Sequence, residues 1–156
     1  MKSKKLIIYI IITVACSVVI FVLSSQIQTV SGTNSLRVLT AVADFLSKIF
    51  HLTISESDIR ALNGLFRKVA HFSIYTLLSI FAYNTFRVAV TQKKCVIIAT
   101  FAFCVLTAIS DEIHQIFVSG RSGELRDVLI DTLGVCCGLG LVWLWNKIVK
   151  NISKSE

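Results

Sequence analysis

Three short clusters of ionisable and amide side chains stand out in a chain that is otherwise mostly apolar. Lys68, His71 and Tyr75 are three and four residues apart, and Asp111 and Gln115, like Asp127 and Asp131, are four apart. On a helix, neighbours at that spacing share one face, so each cluster is a stripe. Glu112 adjoins Asp111 within the second stripe's span, and the turn Ser119-Gly120-Arg121-Ser122-Gly123 lies between the second and third stripes. Carboxylates beside a histidine can act as general acid and base, which makes Asp111, Glu112 and His71 the candidate catalytic groups. With Asp131 they are also candidate ligands for a divalent cation, although no spacing here is diagnostic of a metal. Arg121 and Lys68, with the helix start that follows the turn, could hold a phosphate or carboxylate.

Composition dictates what must carry these stripes. The chain has 156 residues, 54% of them hydrophobic and 16% charged, with a mean hydropathy of +0.76. It is too apolar for an ordinary soluble domain and too long for a single span. The expectation is one domain over 1–156, an all-α integral membrane four-helix bundle with spans at about 6–24, 69–86, 95–116 and 128–146. The first run exceeds the apolar core of a signal peptide and exits through Ser24, Ser25 and Gln26, so it is expected to be retained. In the first outer loop, Leu36, Leu39, Val42, Ala43, Leu46, Ile49 and Phe50 recur at helical spacing and predict an additional amphipathic helix. Ser55 and Asp58 have capping-box spacing, which predicts a helix running through Arg60, Phe66 and Lys68 into the second span. Gly134 and Gly138 form a small-xxx-small pattern that predicts close helix packing. Trp143 and Trp145 fit an aromatic belt. Cys16, Cys95, Cys104, Cys136 and Cys137 have neither zinc nor disulfide spacing and read as small core residues. His51 and His114 read as bystanders, the latter off the Asp111–Gln115 face.

The net charge of +7 and pI near 9.4 do not indicate nucleic acid, because the lysines gather at the ends of apolar runs with no interleaved aromatics. They indicate topology. Placing both termini in the cytoplasm puts Lys2, Lys4, Lys5, Arg87, Lys93, Lys94, Lys147, Lys150 and Lys154 inside on short segments, and spreads the other seven basic residues over longer outer loops. His71 then stands 16 residues from Arg87, Asp111 17 from Lys94 and Asp131 16 from Lys147. At ~1.5 Å per residue each is about 24–26 Å up its own helix. Lys68, Gln115 and Asp127 fall one turn higher, and Ser24, Ser25 and Gln26 reach a similar level on the first span. An ionisable group at mid-membrane costs about 2.5–3.5 kcal/mol on insertion scales. The stripes are therefore expected to face inward and to pair with Arg67, Lys68, Arg121 and Arg126.

The combination Arg67-Lys68-x-x-His71-Phe72-x-x-Tyr75, Asp111-Glu112-x-x-Gln115-x-Phe117-x-x-x-Arg121 and Asp127-Val128-x-x-Asp131-x-x-Gly134 resembles the VanZ family of bacterial membrane proteins. The Ser24-Ser25-Gln26 exit is similar to that family too. Two positions depart from the family pattern: Asp131 stands where asparagine is frequent, and Ser119 where a proline commonly precedes the glycine. The resemblance implies a role at the cell surface in tolerance to teicoplanin and related lipoglycopeptides.

Two readings follow. In the first, an outward pocket with Lys68, Tyr75, Gln115, Arg121, Asp127, Asp131 and Gln26 as binding residues holds the headgroup of a membrane lipid, a cell-wall lipid precursor or a lipoglycopeptide-related ligand. In the second, an intramembrane hydrolase or transferase acts on a phosphate- or acyl-linked envelope lipid. Asp111 or Glu112 would then be the base, His71 its acid–base partner and Arg121 the phosphate ligand, with or without a divalent cation as cofactor.

Overall fold

The computed structural model describes residues 2–25, 28–51, 55–119 and 123–153, and among them all regular structure is helical. Five helices follow one another: α1 (Lys2–Ser24), α2 (Gln28–Phe50), α3 (Glu56–Ala89), α4 (Lys93–Ile116) and α5 (Leu125–Ile152). The helix predicted in the first outer loop is α2. It ends at Phe50, after which His51 adopts a left-handed conformation with φ 53°, a common way of closing a helix.

The capping box forms as the spacing predicts. The Asp58 backbone N–H donates to Ser55 Oγ at 3.3 Å, and the Ser55 N–H donates to Asp58 Oδ2 at 3.2 Å. From there α3 runs 34 residues without a break, carrying the polar segment 56–68 and the apolar segment 69–86 on one rod.

α3 is the hub of the bundle and touches α1, α2, α4 and α5, most extensively α5. The core consists of Ile20 of α1, Tyr75, Leu78 and Ala82 of α3, Cys104 and Ala108 of α4 and Val135 of α5. Of the five cysteines, Cys104 is buried and Cys16 half-buried, but Cys95, Cys136 and Cys137 are exposed. The core assignment therefore holds for the first two alone. The other three sit on helix faces that no neighbouring helix covers.

Three helices are long and apolar enough to cross a membrane by length and composition: α1 from Lys4 onward, α4 and α5. The segment 69–86, expected as the second of four spans, is not among them. Its polar side chains are turned toward other helices instead. Tyr75 and Ser79 are fully buried, Thr76 Oγ1 donates to the carbonyl of Gly134 at 3.0 Å, and Thr85 Oγ1 lies 3.0 Å from Thr13 Oγ1 on α1. Conversely, the outer surface is apolar. Ile7, Ile11, Val14, Val18 and Val22 of α1 are each more than half exposed, an arrangement inverted relative to a soluble protein.

α2 rests on α3. Ala43 is buried, and Leu36, Leu39 and Leu46 are half-buried. Val42 and Ile49 are exposed together with Val38 and Phe45. These four lie at helical spacing on a second apolar strip, because a single helix neighbour covers only part of a broad apolar face.

The tightest contact joins α3 to α5. A Cβ on Gly134 would strike the Phe72 carbonyl oxygen, and one on Gly138 would strike the Thr76 carbonyl oxygen and the Ser79 hydroxyl. The predicted small-xxx-small packing is thus a backbone-to-backbone approach, with the Thr76 bond lying along it. Gly138→Ile should therefore push α5 off α3 and lower stability by about 1–3 kcal/mol, measured as the thermal unfolding of the detergent-solubilised protein. Gly140→Ala, at a position with nothing within 4 Å of an added Cβ, should leave it unchanged.

Candidate functional site

The polar stripes meet at one end of the bundle. On α4, Asp111 is fully buried because its helix face is closed off by α1 and α5. Its Oδ2 accepts from Ser24 Oγ of α1 at 2.7 Å and from Gln115 Nε2 one turn along α4 at 3.1 Å. Gln115 Nε2 also lies 3.4 Å from Ser24 Oγ. The last buried residue of α1 is thereby tied to α4, beside a second tie in which Ser25 Oγ meets His114 Nε2 at 3.0 Å. The His114 ring stands edge-on to Phe21, with centroids 6.0 Å apart. His114, read as a bystander, thus helps to hold the top of α1.

α3 and α5 supply the second half. His71 Nδ1 lies 3.6 Å from Asp131 Oδ1, with Asp131 fully buried and a quarter of the His71 side chain exposed. That separation is long for a direct hydrogen bond. Among the described residues, both Asp131 oxygens, His71 Nδ1 and Tyr75 Oη have no hydrogen-bond partner although all four atoms are buried. The two halves form one electrostatic cluster. His71 feels Asp131, Asp111 and Asp127, and Tyr75 feels Asp111, Asp131 and Glu112. Contacts join Asp111 to Ser24 and Gln115 on one side and His71 to Asp131 on the other, two neighbouring sets at the same end of the bundle.

Glu112 has a different task. It is 6% exposed, and its Oε2 accepts the backbone N–H of Glu124 at 2.8 Å. Glu124 is the N-cap residue of α5, so this carboxylate holds an N–H at the helix start, where negative charge is also favoured by the helix dipole. The chain can approach because residue 123 is glycine. A Cβ there would come within 2.9 Å of the Glu112 carbonyl oxygen and 2.7 Å of the Ile116 side chain. Sequence spacing could not reveal this role, since the partner is a main-chain group across a loop. Asp127 stands in the first turn of α5 with a buried Oδ1 that finds no partner among the described residues.

Gln26, Arg121 and most of the turn expected to cradle an anion lie outside the described residues. The expected pairing of the carboxylates with Arg67, Lys68 and Arg126 does not occur among the described residues. Lys68 is half-buried one turn above His71, and Arg126 is exposed. Long basic side chains at a helix end reach outward to solvent or headgroups rather than inward. Neutral donors from Ser24, Gln115 and the Glu124 backbone take part of that work. Asp111, Glu112, Asp131 and His71 were candidate ligands for a divalent cation, but among the described residues no three histidine, cysteine or acidic side chains gather closely enough to hold one. The geometry separates them, with Asp111 facing α1, Glu112 facing the α5 start and Asp131 facing α3.

A family model described as VanZ/LLP1 matches residues 6–146, which includes every residue of the cluster. No curated protein and no solved structure matches the chain.

The capping assignment of Glu112 has a direct consequence. Glu112→Ala should cost about 1–2 kcal/mol, the usual loss for a helix cap. Glu112→Gln, which keeps an oxygen for the Glu124 N–H, should cost less than half as much. Thermal unfolding of the two variants side by side checks the order.

Proposed function

The chain belongs to the VanZ/LLP1 family, and from that premise we propose that it is a multi-pass protein of the bacterial cell membrane whose polar cluster binds the headgroup of an envelope lipid or glycan. α1, α4 and α5 cross the membrane in this reading, and the 69–86 part of α3 crosses between them as the fourth span. Both termini are cytoplasmic, which agrees with the gathering of lysines at the ends remote from the cluster. The cluster then opens toward the outer face, where teicoplanin meets cell-wall precursors. Family membership links the protein to tolerance of that drug.

One observation carries the binding assignment. Asp131 is fully buried, and neither of its oxygens has a hydrogen-bond partner among the described residues. A buried carboxylate in that state calls for a donor from outside the chain. His71 Nδ1, which faces one of those oxygens at 3.6 Å, and Tyr75 Oη, which has no hydrogen-bond partner there, can contribute a second and third bond. Acceptors dominate the cluster, so the best-matched guest is a headgroup rich in donors, such as sugar hydroxyls or an ammonium group. Lys68, one turn further out on α3, would meet an adjoining phosphate. The serine hydroxyls near the cluster already donate. Ser24 donates to Asp111, Ser73 to the Val69 carbonyl and Ser110 to the Leu106 carbonyl. This favours holding a headgroup over attacking it.

Tyr75→Phe and Asp131→Asn test the reading in cells challenged with teicoplanin, with membrane abundance of the protein measured in parallel. Tyr75→Phe removes a buried hydroxyl and nothing else. Loss of one headgroup bond, worth about 1.4 kcal/mol, should weaken binding roughly tenfold. Tolerance should fall while abundance holds. Unchanged tolerance in both variants, with stability equal or raised in Tyr75→Phe, would mean that the cluster merely holds helices together.

A further inference from the structure

A concavity lies at the end of the molecule opposite the acidic cluster, between α3 and α5. It is a half-open groove of about 480 Å³. One wall is Ile80, Asn84 and Arg87, a stripe at four- and three-residue spacing on α3; the other is built from 141–148 of α5, including Leu141, Trp145 and Asn146. Arg87 Nη1 donates to Asn146 Oδ1 at 3.4 Å across the groove, which turns one edge of the guanidinium toward α5. Asn84 Nδ2 donates to the Ile80 carbonyl at 2.8 Å. No carboxylate lines the groove, and among the described residues Arg87 forms no ion pair. α3 carries no acidic residue after Asp58, and α5 none after Asp131. Lys93 and Lys94 follow within seven residues of Arg87, and Lys147 and Lys150 flank the other wall. The Lys147 ammonium is held over the Trp143 ring at 5.2 Å, away from the groove.

We propose that this groove binds an anionic phospholipid of the leaflet on the lysine-rich side, with its phosphate on Arg87 and an acyl chain along Ile80, Leu141 and Leu144. The argument is one of complementary parts. A guanidinium freed of any carboxylate offers a planar pair of donors to phosphate oxygens. The Asn146 amide, whose oxygen is bonded to Arg87, can donate through its nitrogen to the same phosphate or to a glycerol oxygen. The apolar walls suit a chain and not a free ion, and Trp145, two-thirds exposed, stands where indole rings meet headgroups. Basic pockets between helices on the cytoplasmic side are a recurrent setting for anionic lipids. This site shares no residue with the acidic cluster and does not depend on what that cluster binds.

The test uses the full chain in bilayers of phosphatidylcholine doped with spin-labelled phosphatidylglycerol or spin-labelled phosphatidylcholine. The motionally restricted fraction of each probe is read by electron spin resonance. The protein should select the anionic probe roughly fivefold over the zwitterionic one. Arg87→Gln should bring that ratio near one, and Leu141→Trp, which fills the groove from an exposed position, should lower the restricted fraction with the charges intact. Lys147→Gln should keep the preference. Helicity by circular dichroism certifies each variant. The proposal is overturned if Lys147→Gln abolishes the preference while Arg87→Gln leaves it, since the attraction is then diffuse surface charge. It is equally overturned if Leu141→Trp has no effect, or if both probes are restricted alike.

Discussion

A carboxylate shut inside a bundle of apolar helices has only the other helices to answer it, and that constraint organises this fold. Asp111 is fully buried and accepts from Ser24 on a different helix and Gln115 on its own. Once that bond exists, the register of α1 against α4 is set, because Ser24 closes α1 and a shift of one turn would leave the acid facing aliphatic side chains. Ser25 and His114 repeat the tie one residue further out. Polar contacts of this kind select an arrangement more than they add stability, since each charge taken from water costs several kcal/mol before its partners return any of it.

The opposite side of the cluster relies on shape. α5 can carry Asp131 to within 3.6 Å of His71 because Gly134 and Gly138, at successive turns below it, let the two backbones touch. Thr76 bridges that contact by donating to both the Phe72 and the Gly134 carbonyls, at 2.8 and 3.0 Å. The start of α5 is fixed separately by Glu112. Two acids adjacent in sequence thus have unlike roles: Asp111 points to α1 and its neighbour secures the N-terminus of α5. α3 supports all of this as a continuous rod whose polar side chains are spent on its neighbours. That is why the helix central to the bundle looks the least like a span.

Much of this was legible in the chain. Residue counts from the basic ends brought His71, Asp111 and Asp131 to one height, helical spacing put Gln115 with Asp111, and the Ser55–Asp58 pair marked the start of α3. Those readings succeed because helix rise and period are set by the backbone alone. What failed depended on partners that sequence does not specify. Arg67, Lys68 and Arg126 were natural guesses for counter-ions, yet among the described residues none of them pairs with a carboxylate, and Ser24, Gln115 and a backbone N–H meet part of that need; Arg121, the fourth, lies outside those residues. Val42 and Ile49 follow the same periodicity as Leu39 and Ala43, yet α3 covers only the latter pair. The exposed cysteines of α5 followed from the same blind spot, since periodicity shows which residues share a face and not which face meets a neighbour.

The claim on which the account rests is that α3 and α5 bring His71 and Asp131 into one shared environment. A double-mutant cycle with His71→Ala, Asp131→Ala and the pair, read as unfolding free energy, measures it most directly. The geometry predicts a coupling of about 1–3 kcal/mol, whereas effects that add to within ~0.5 kcal/mol would show that the two side chains do not meet.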